Sequence, residues 1–112
     1  MNMVNIRKIN TVEEYNNLIK DENNIIITKF FASWCGPCRV LTDTIKNIDA
    51  EKVENTIFAE VDIENEEFDS LCSELGIRGI PVLVYYKNGE LKDKTIGLQS
   101  ADAIINKIES LQ

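Results

Sequence analysis

The chain has no histidine among its 112 residues. That absence removes any mixed cysteine–histidine zinc site, any serine–histidine or cysteine–histidine nucleophile, and the usual proton shuttle of neutral pH. Cysteine is scarce too. Cys35, Cys38 and Cys72 are too few for a disulfide framework, and a lone close pair in a reducing compartment points to redox chemistry or metal binding. Basic residues are the minority, 12 against 19 acidic, and a net charge of −7 argues against a nucleic-acid footprint or attraction to anionic membranes. No apolar run approaches the roughly 18 residues that span a bilayer, and Met1 to Asn10 lacks the charged-then-apolar order of a secretory signal. A cytoplasmic protein is therefore expected. A length of 112 residues with 44% hydrophobic content suits one compact domain over residues 1–112.

Val4 to Ile9 is short and partly apolar, and Thr11 with Glu14 three residues on has the form of a capping box opening a helix that ends near Lys20. Ile25 to Phe31 is a nearly continuous apolar run, interrupted by Thr28 and Lys29, as in strands covered on both faces. Val40, Leu41, Ile45 and Ile48 fall on a helical stripe, and Thr56 to Asp62 reads as another strand. A helix between two such strands implies a parallel crossover. Glu64, Glu66, Glu67 and Asp69 cluster at the start of the next helix as a solvated, charge-favoured face, and Gly76 is its stop. Pro81 to Tyr86 gives a strand, Asn88-Gly89 a hairpin turn, and Glu90 to Ile96 the antiparallel return. Ser100 then caps a last helix carrying Ile104, Ile105, Ile108 and Leu111. The order β-α-β-α-β-α-β-β-α predicts an α/β fold, a mixed central sheet of five strands flanked by four helices.

Chemistry concentrates in Trp34-Cys35-Gly36-Pro37-Cys38, at a strand-to-helix junction. Two cysteines on the first turn of a helix can reach each other, and the unpaired amides there favour an anion. Cys35, at the helix start, is the expected nucleophile; Cys38, one turn further in, is placed to attack a mixed disulfide formed on Cys35. Gly36 and Pro37 supply a tight turn and a helix-compatible φ. Two other readings compete. One is an inert buried thiol couple; the other is half of a four-cysteine zinc site, whose shell Cys72 alone would leave incomplete. Cys72, flanked by Leu71 and near Leu75, reads as a small core hydrophobe.

Together with Gly76-Ile77-Arg78-Gly79-Ile80-Pro81, Lys87-Asn88-Gly89 and Gly97, in this order and spacing, the cysteine motif resembles the thioredoxin family over nearly the whole chain. The resemblance implies a thioredoxin fold and a protein disulfide reductase that cycles Cys35 and Cys38 between dithiol and disulfide without a bound cofactor or metal. It also implies disulfide-containing substrate proteins, a separate flavin- or ferredoxin-linked reductase, and a monomer. Pro81 matches the cis-proline that faces the disulfide in that family, against an ordinary trans proline opening a strand. Gly79 and Ile80 match the backbone that pairs with an extended substrate segment. Trp34, Ile63, Gly97 and Leu98 match the rest of an apolar rim that receives partners, although Ile63 and Leu98 taken alone read as well as packing. An oxidase or isomerase on the same fold, and a partner-binding module with incidental turnover, are the rival functions. The Gly-Pro between the sulfurs resembles the reducing members.

Three positions depart from the family's pattern. Lys29 stands where the family usually carries a buried aspartate that assists proton transfer at the inner cysteine, and Glu60 stands where a neighbouring strand commonly supplies a lysine. An exchanged pair beneath the disulfide is expected, because burial drives a lone lysine toward its neutral form and a carboxylate restores its charge. Either Glu60 or a neutral Lys29 would then relay the proton of Cys38. A lysine that snorkels to an edge beside a solvated Glu60 is the competing reading. Asp43 replaces a helix-kinking proline, so Arg39 to Ile48 is expected to form one straighter segment.

Overall fold

The structure, a computed structural model, describes residues 3–112. It contains β1 (Ile6–Lys8), α1 (Val12–Ile19), β2 (Ile25–Phe31), α2 (Gly36–Lys46), β3 (Thr56–Asp62), α3 (Asp69–Leu75), β4 (Val82–Lys87), β5 (Glu90–Ile96) and α4 (Ala101–Leu111). Short 3₁₀ turns at Ala50–Val53 and Glu66–Phe68 precede β3 and α3. The strands form one sheet in the order β1-β3-β2-β4-β5, with β1, β3 and β2 parallel and β4 and β5 antiparallel to their neighbours. The expected element order and the mixed five-stranded sheet are both observed.

Alternation along the strands divides the apolar residues between two faces. Ile25 and Ile27 of β2, Phe58 of β3, and Leu83 and Tyr85 of β4 share a core with Leu41 and Ile45 of α2 and Ile104 and Ile108 of α4. Ile26 and Phe30, Ala59 and Val61, and Val82, Val84 and Tyr86 share another with Tyr15 of α1, Leu71 of α3 and Phe68. Central β2 is thus buried on both faces, which accounts for its apolar run. Its two polar residues fall on opposite faces. Thr28 joins a buried hydroxyl network in which Tyr15 Oη lies 3.0 Å from Thr28 Oγ1 and 2.8 Å from Tyr86 Oη. Burial pushes the Tyr15 hydroxyl far above the ordinary tyrosine range, so it remains a neutral hydrogen-bonding group. Lys29 points the other way, toward α2.

The end signals of the elements are largely as the sequence suggests. Asn88 and Gly89 take φ of 54° and 78°, the double left-handed conformation of a tight hairpin turn, and Gly76 ends α3 at φ 66°. Ser100 Oγ accepts from the Ala103 amide at 3.0 Å. Three details differ. Thr11 accepts from the Glu14 amide, but the Glu14 carboxylate reaches past Thr11 to the Asn10 amide at 2.9 Å. Helix α2 runs unbroken through Asp43, as expected without a proline there, yet stops at Lys46, before Ile48. The acidic run is also more than a solvated face. Glu67 accepts from the Val12 amide at the start of α1, 3.0 Å away, and Glu64 binds Ser33.

Candidate active site

Strand β2 ends at Phe31 and α2 begins at Gly36, so the intervening turn carries Trp34 and Cys35 out at the end of the sheet. Cys35 is the N-cap of α2, with an extended backbone, and its Sγ accepts the Cys38 amide at 3.2 Å. Sulfur thus occupies the place where a serine or aspartate oxygen ordinarily caps a helix. Pro37 sits in the first turn, where a missing amide hydrogen costs nothing. Cys35 and Cys38 are joined as a disulfide across a Cα–Cα distance of 5.3 Å. Cys35 is 5% exposed and Cys38 1%, so the outer sulfur is the one an incoming group meets first.

Ala32 lies against the two cysteines, with Phe31, Ile63 and Ile80 packed around them. Ile80 precedes Pro81, and the peptide bond between them is cis. The Pro81 carbonyl accepts from the Gly97 amide at 2.8 Å, fixing the segment before β4 to the one after β5. Gly79 is held close to β5: a Cβ there would lie 3.6 Å from Ile96 Cγ2, an ordinary contact. Trp34, Ile96 and Leu98 are exposed apolar side chains, at 66%, 65% and 55%. Ile63 and Ile80 therefore pack against the cluster that Ala32 forms with the two cysteines, whereas Trp34 and Leu98 project into solvent.

Behind Cys38 opens a cavity of about 390 Å³, lined by Lys29, Phe31, Ala32, Ser33, Cys38, Arg39, Thr42, Asp43 and Glu60. Lys29 and Glu60 are register neighbours on the parallel strands β2 and β3, side by side on one face. The expected contact ion pair is not formed, however. Lys29 Nζ donates to Thr42 Oγ1 on α2 and lies 4.7 Å from the centre of the Phe31 ring. Glu60 is half-buried and partly solvated, which reduces what a direct pair would gain. Burial holds the Lys29 ammonium below the ordinary lysine value, opposed by the Glu60 carboxylate and aided by Lys46. Nor does Lys29 snorkel: it is 3% exposed.

The chain matches the thioredoxin family model over residues 6–110. A thioredoxin of Chlamydia caviae is 31% identical over 101 residues, covering 90% of this chain and 94% of that one. A thioredoxin of Rickettsia felis is 39% identical over 83 residues, 74% of this chain and 77% of its own. Among solved structures, a mutant thioredoxin from Halobacterium salinarum superposes with a TM-score of 0.80 at 30% identity, covering 93% of this chain and 88% of that one. The chain belongs to the thioredoxin family. It is a thiol–disulfide oxidoreductase of the reducing kind, acting on disulfide-bearing substrates and returned to its dithiol form by a reductase. Its Cys35–Cys38 disulfide is the redox group of the thioredoxin fold.

Ser33 and Thr42 also build this thioredoxin site, although they lie outside the motifs that the sequence shows. Ser33 is held from two sides: its backbone carbonyl accepts from Arg39 Nη2 at 2.8 Å, and its hydroxyl donates to Glu64 Oε1 at 3.1 Å. These bonds fix the turn that presents Trp34 and Cys35. Thr42 Oγ1 donates to the Cys38 carbonyl at 3.0 Å. Its position four residues after Cys38 places it on the same helix face, and that spacing was the available signal. Cys72 is partly buried among the apolar residues beside α3, and burial, with Asp69 nearby, pushes its thiol up. Among the described residues no group of three or more histidine, cysteine, aspartate or glutamate side chains could hold a metal ion, and no helix is long and apolar enough to cross a membrane.

Proposed function

We propose that Cys35 attacks the substrate disulfide and Cys38 resolves the mixed disulfide that results. The observation that carries this reading is the placement of Cys35 as the sulfur N-cap of α2, more accessible than Cys38 and already accepting an amide hydrogen bond. In the dithiol form that amide and the N-terminal end of the helix stabilise a Cys35 thiolate. Attack breaks the substrate S–S bond; attack by Cys38 on Cys35 then releases the second substrate sulfur and closes the Cys35–Cys38 bridge. Trp34, Gly36 and Pro37 shape the turn that holds the pair.

Gly79, Ile80 and Pro81, with Ile63, Gly97 and Leu98, form the surface that receives an extended substrate segment. The packing of Ile63 and Ile80 against the cysteines and the bond from Gly97 to Pro81 support that assignment. Lys29 and Glu60, which share the cavity behind Cys38, are the groups that govern its proton. The family match over residues 6–110 supports a single domain spanning 1–112. We further assign a flavin- or ferredoxin-linked reductase as electron source, action as a monomer in the cytoplasm, and no bound cofactor or metal.

Reduction of insulin disulfides with a chemical reductant tests the assignment. Cys35→Ser should abolish turnover, and Cys38→Ser should do the same while accumulating a covalent complex with the substrate. Full turnover by Cys35→Ser would remove the assignment, and a Cys35→Ser protein that keeps its biological effect would favour the partner-binding reading.

A further inference from the structure

Lys29 is the only charged side chain among the buried residues described, and its contacts say in what form it acts on the Cys38 proton. Against the burial that disfavours its charge, three of its contacts suit a cation. The Thr42 hydroxyl has one hydrogen, committed to the Cys38 carbonyl, so the oxygen meets Lys29 Nζ as an acceptor. Nζ also lies over the Phe31 ring at 4.7 Å, within reach of a cation–π attraction. Glu60, its register neighbour on β3, adds a carboxylate. An acceptor oxygen, an aromatic face and an anion each favour an ammonium over a neutral amine. The remaining charged groups at or near the cavity are Arg39, Asp43 and Lys46 of α2, while β4 contributes the apolar Leu83 beside Lys29.

We propose that Lys29, anchored by Thr42, is a fixed positive charge that stabilises the thiolate of Cys38 while the mixed disulfide on Cys35 is resolved. The proposal rests on the dithiol reading above. In that step the Cys38 thiol gives its proton to solvent in the cavity, and the thiolate attacks Cys35 Sγ. The Cys35–substrate bond breaks with its electron pair on the substrate sulfur, which then takes up a proton. The Cys38 sulfur is oxidised, the substrate sulfur is reduced, and the Cys35–Cys38 bond forms. Lys29 and Thr42 exchange no atoms. Both are positioning residues, linked to the reaction through the cavity wall they share with Cys38 and through the Cys38 carbonyl.

The test is stopped-flow reaction of the reduced protein with a small aromatic disulfide such as dithiobis(nitrobenzoate), which releases one coloured thiolate when Cys35 attacks and a second when Cys38 resolves. An opposite charge close to a thiol lowers its ionisation midpoint by about one pH unit or more. Lys29→Met should therefore move the pH midpoint of the second release upward by about one unit and slow that release about tenfold at neutral pH. Thr42→Val should shift the midpoint in the same direction by less, and it serves as the decisive variant if Lys29→Met does not fold. A Lys29→Met midpoint equal to that of the unmodified protein overturns the proposal, even where the rate falls, because a lost base rather than a lost charge would then be responsible. With Cys72, the remaining free thiol, replaced by alanine in every protein compared, Cys38→Ser should show no second release; a second release from it would overturn the dithiol reading and leave the charge on Lys29 without a reaction to serve.

Discussion

Replacing Lys29 by methionine, a side chain of similar length without charge, should make the oxidised protein more stable at neutral pH by on the order of 1 kcal/mol. Taking an ammonium out of water costs several kcal/mol in a real protein interior. Against this stand the charge-assisted bond to Thr42, at about 1.5–3 kcal/mol, and the Phe31 ring, at about 1–2 kcal/mol. The partly solvated Glu60 adds about 1 kcal/mol or less. Burial nevertheless wins, since the ammonium is held below the ordinary value of 10.5. Methionine strands nothing, because Thr42 continues to donate to the Cys38 carbonyl. A depressed folded-state value means that the unfolded chain binds more protons between that value and 10.5, so the native protein recovers stability as the pH rises through this window. The advantage of Lys29→Met should accordingly be largest near neutral pH and narrow on the alkaline side. Urea unfolding of the oxidised forms, whose paired cysteines do not titrate, measures both quantities. A less stable variant at neutral pH, or a gap that widens with pH, refutes the reasoning. Alongside the slower resolution expected of the same variant, the result would mark Lys29 as a residue kept for reactivity at a cost in stability.

Tyr15→Phe removes the hydroxyl that joins Thr28 and Tyr86 and leaves both of their hydroxyls buried without it, a loss of about 2–4 kcal/mol by chemical denaturation. Combining it with Thr28→Val should cost less than the two changes summed, because the second removes a group the first has stranded. Asp93 accepts from Lys107 at 2.6 Å, and that bond holds its carboxyl below the ordinary 3.8. Both side chains are about one-third exposed, so Asp93→Asn should cost only a few tenths of a kcal/mol. A depressed carboxyl contributes stability above its unfolded value and loses it as pH falls through the folded one. Thermal unfolding should therefore separate Asp93→Asn from the native protein at neutral pH and show them converging in acid.

The strands and helices were readable because local signals and global packing agree at most positions. The run at Ile25–Phe31 announces a strand covered twice, and Asn88-Gly89 announces the hairpin, each for a reason that requires no partner elsewhere in the chain. Cys35 and Cys38 were readable for the same reason: one turn of helix brings them together. Contacts between distant elements were not. The grip of Glu64 on Ser33 joins residues on either side of the α2 crossover, and the seat of Glu67 on the Val12 amide depends on how α1 meets the loop before α3. Lys29 and Glu60 show the boundary most clearly. Strand pairing makes them neighbours, as their family positions implied, but the choice of Thr42 over Glu60 is settled by how α2 packs across the sheet.

The central claim, that Cys35 and Cys38 form a reducing dithiol couple, is tested most directly by the equilibrium of the isolated protein with glutathione. Trapping and quantifying the Cys35–Cys38 disulfide at fixed ratios of reduced to oxidised glutathione yields its potential. A reductase requires a couple on the reducing side of about −200 mV. A value near about −120 mV, where the strong disulfide-forming oxidants lie, would contradict it.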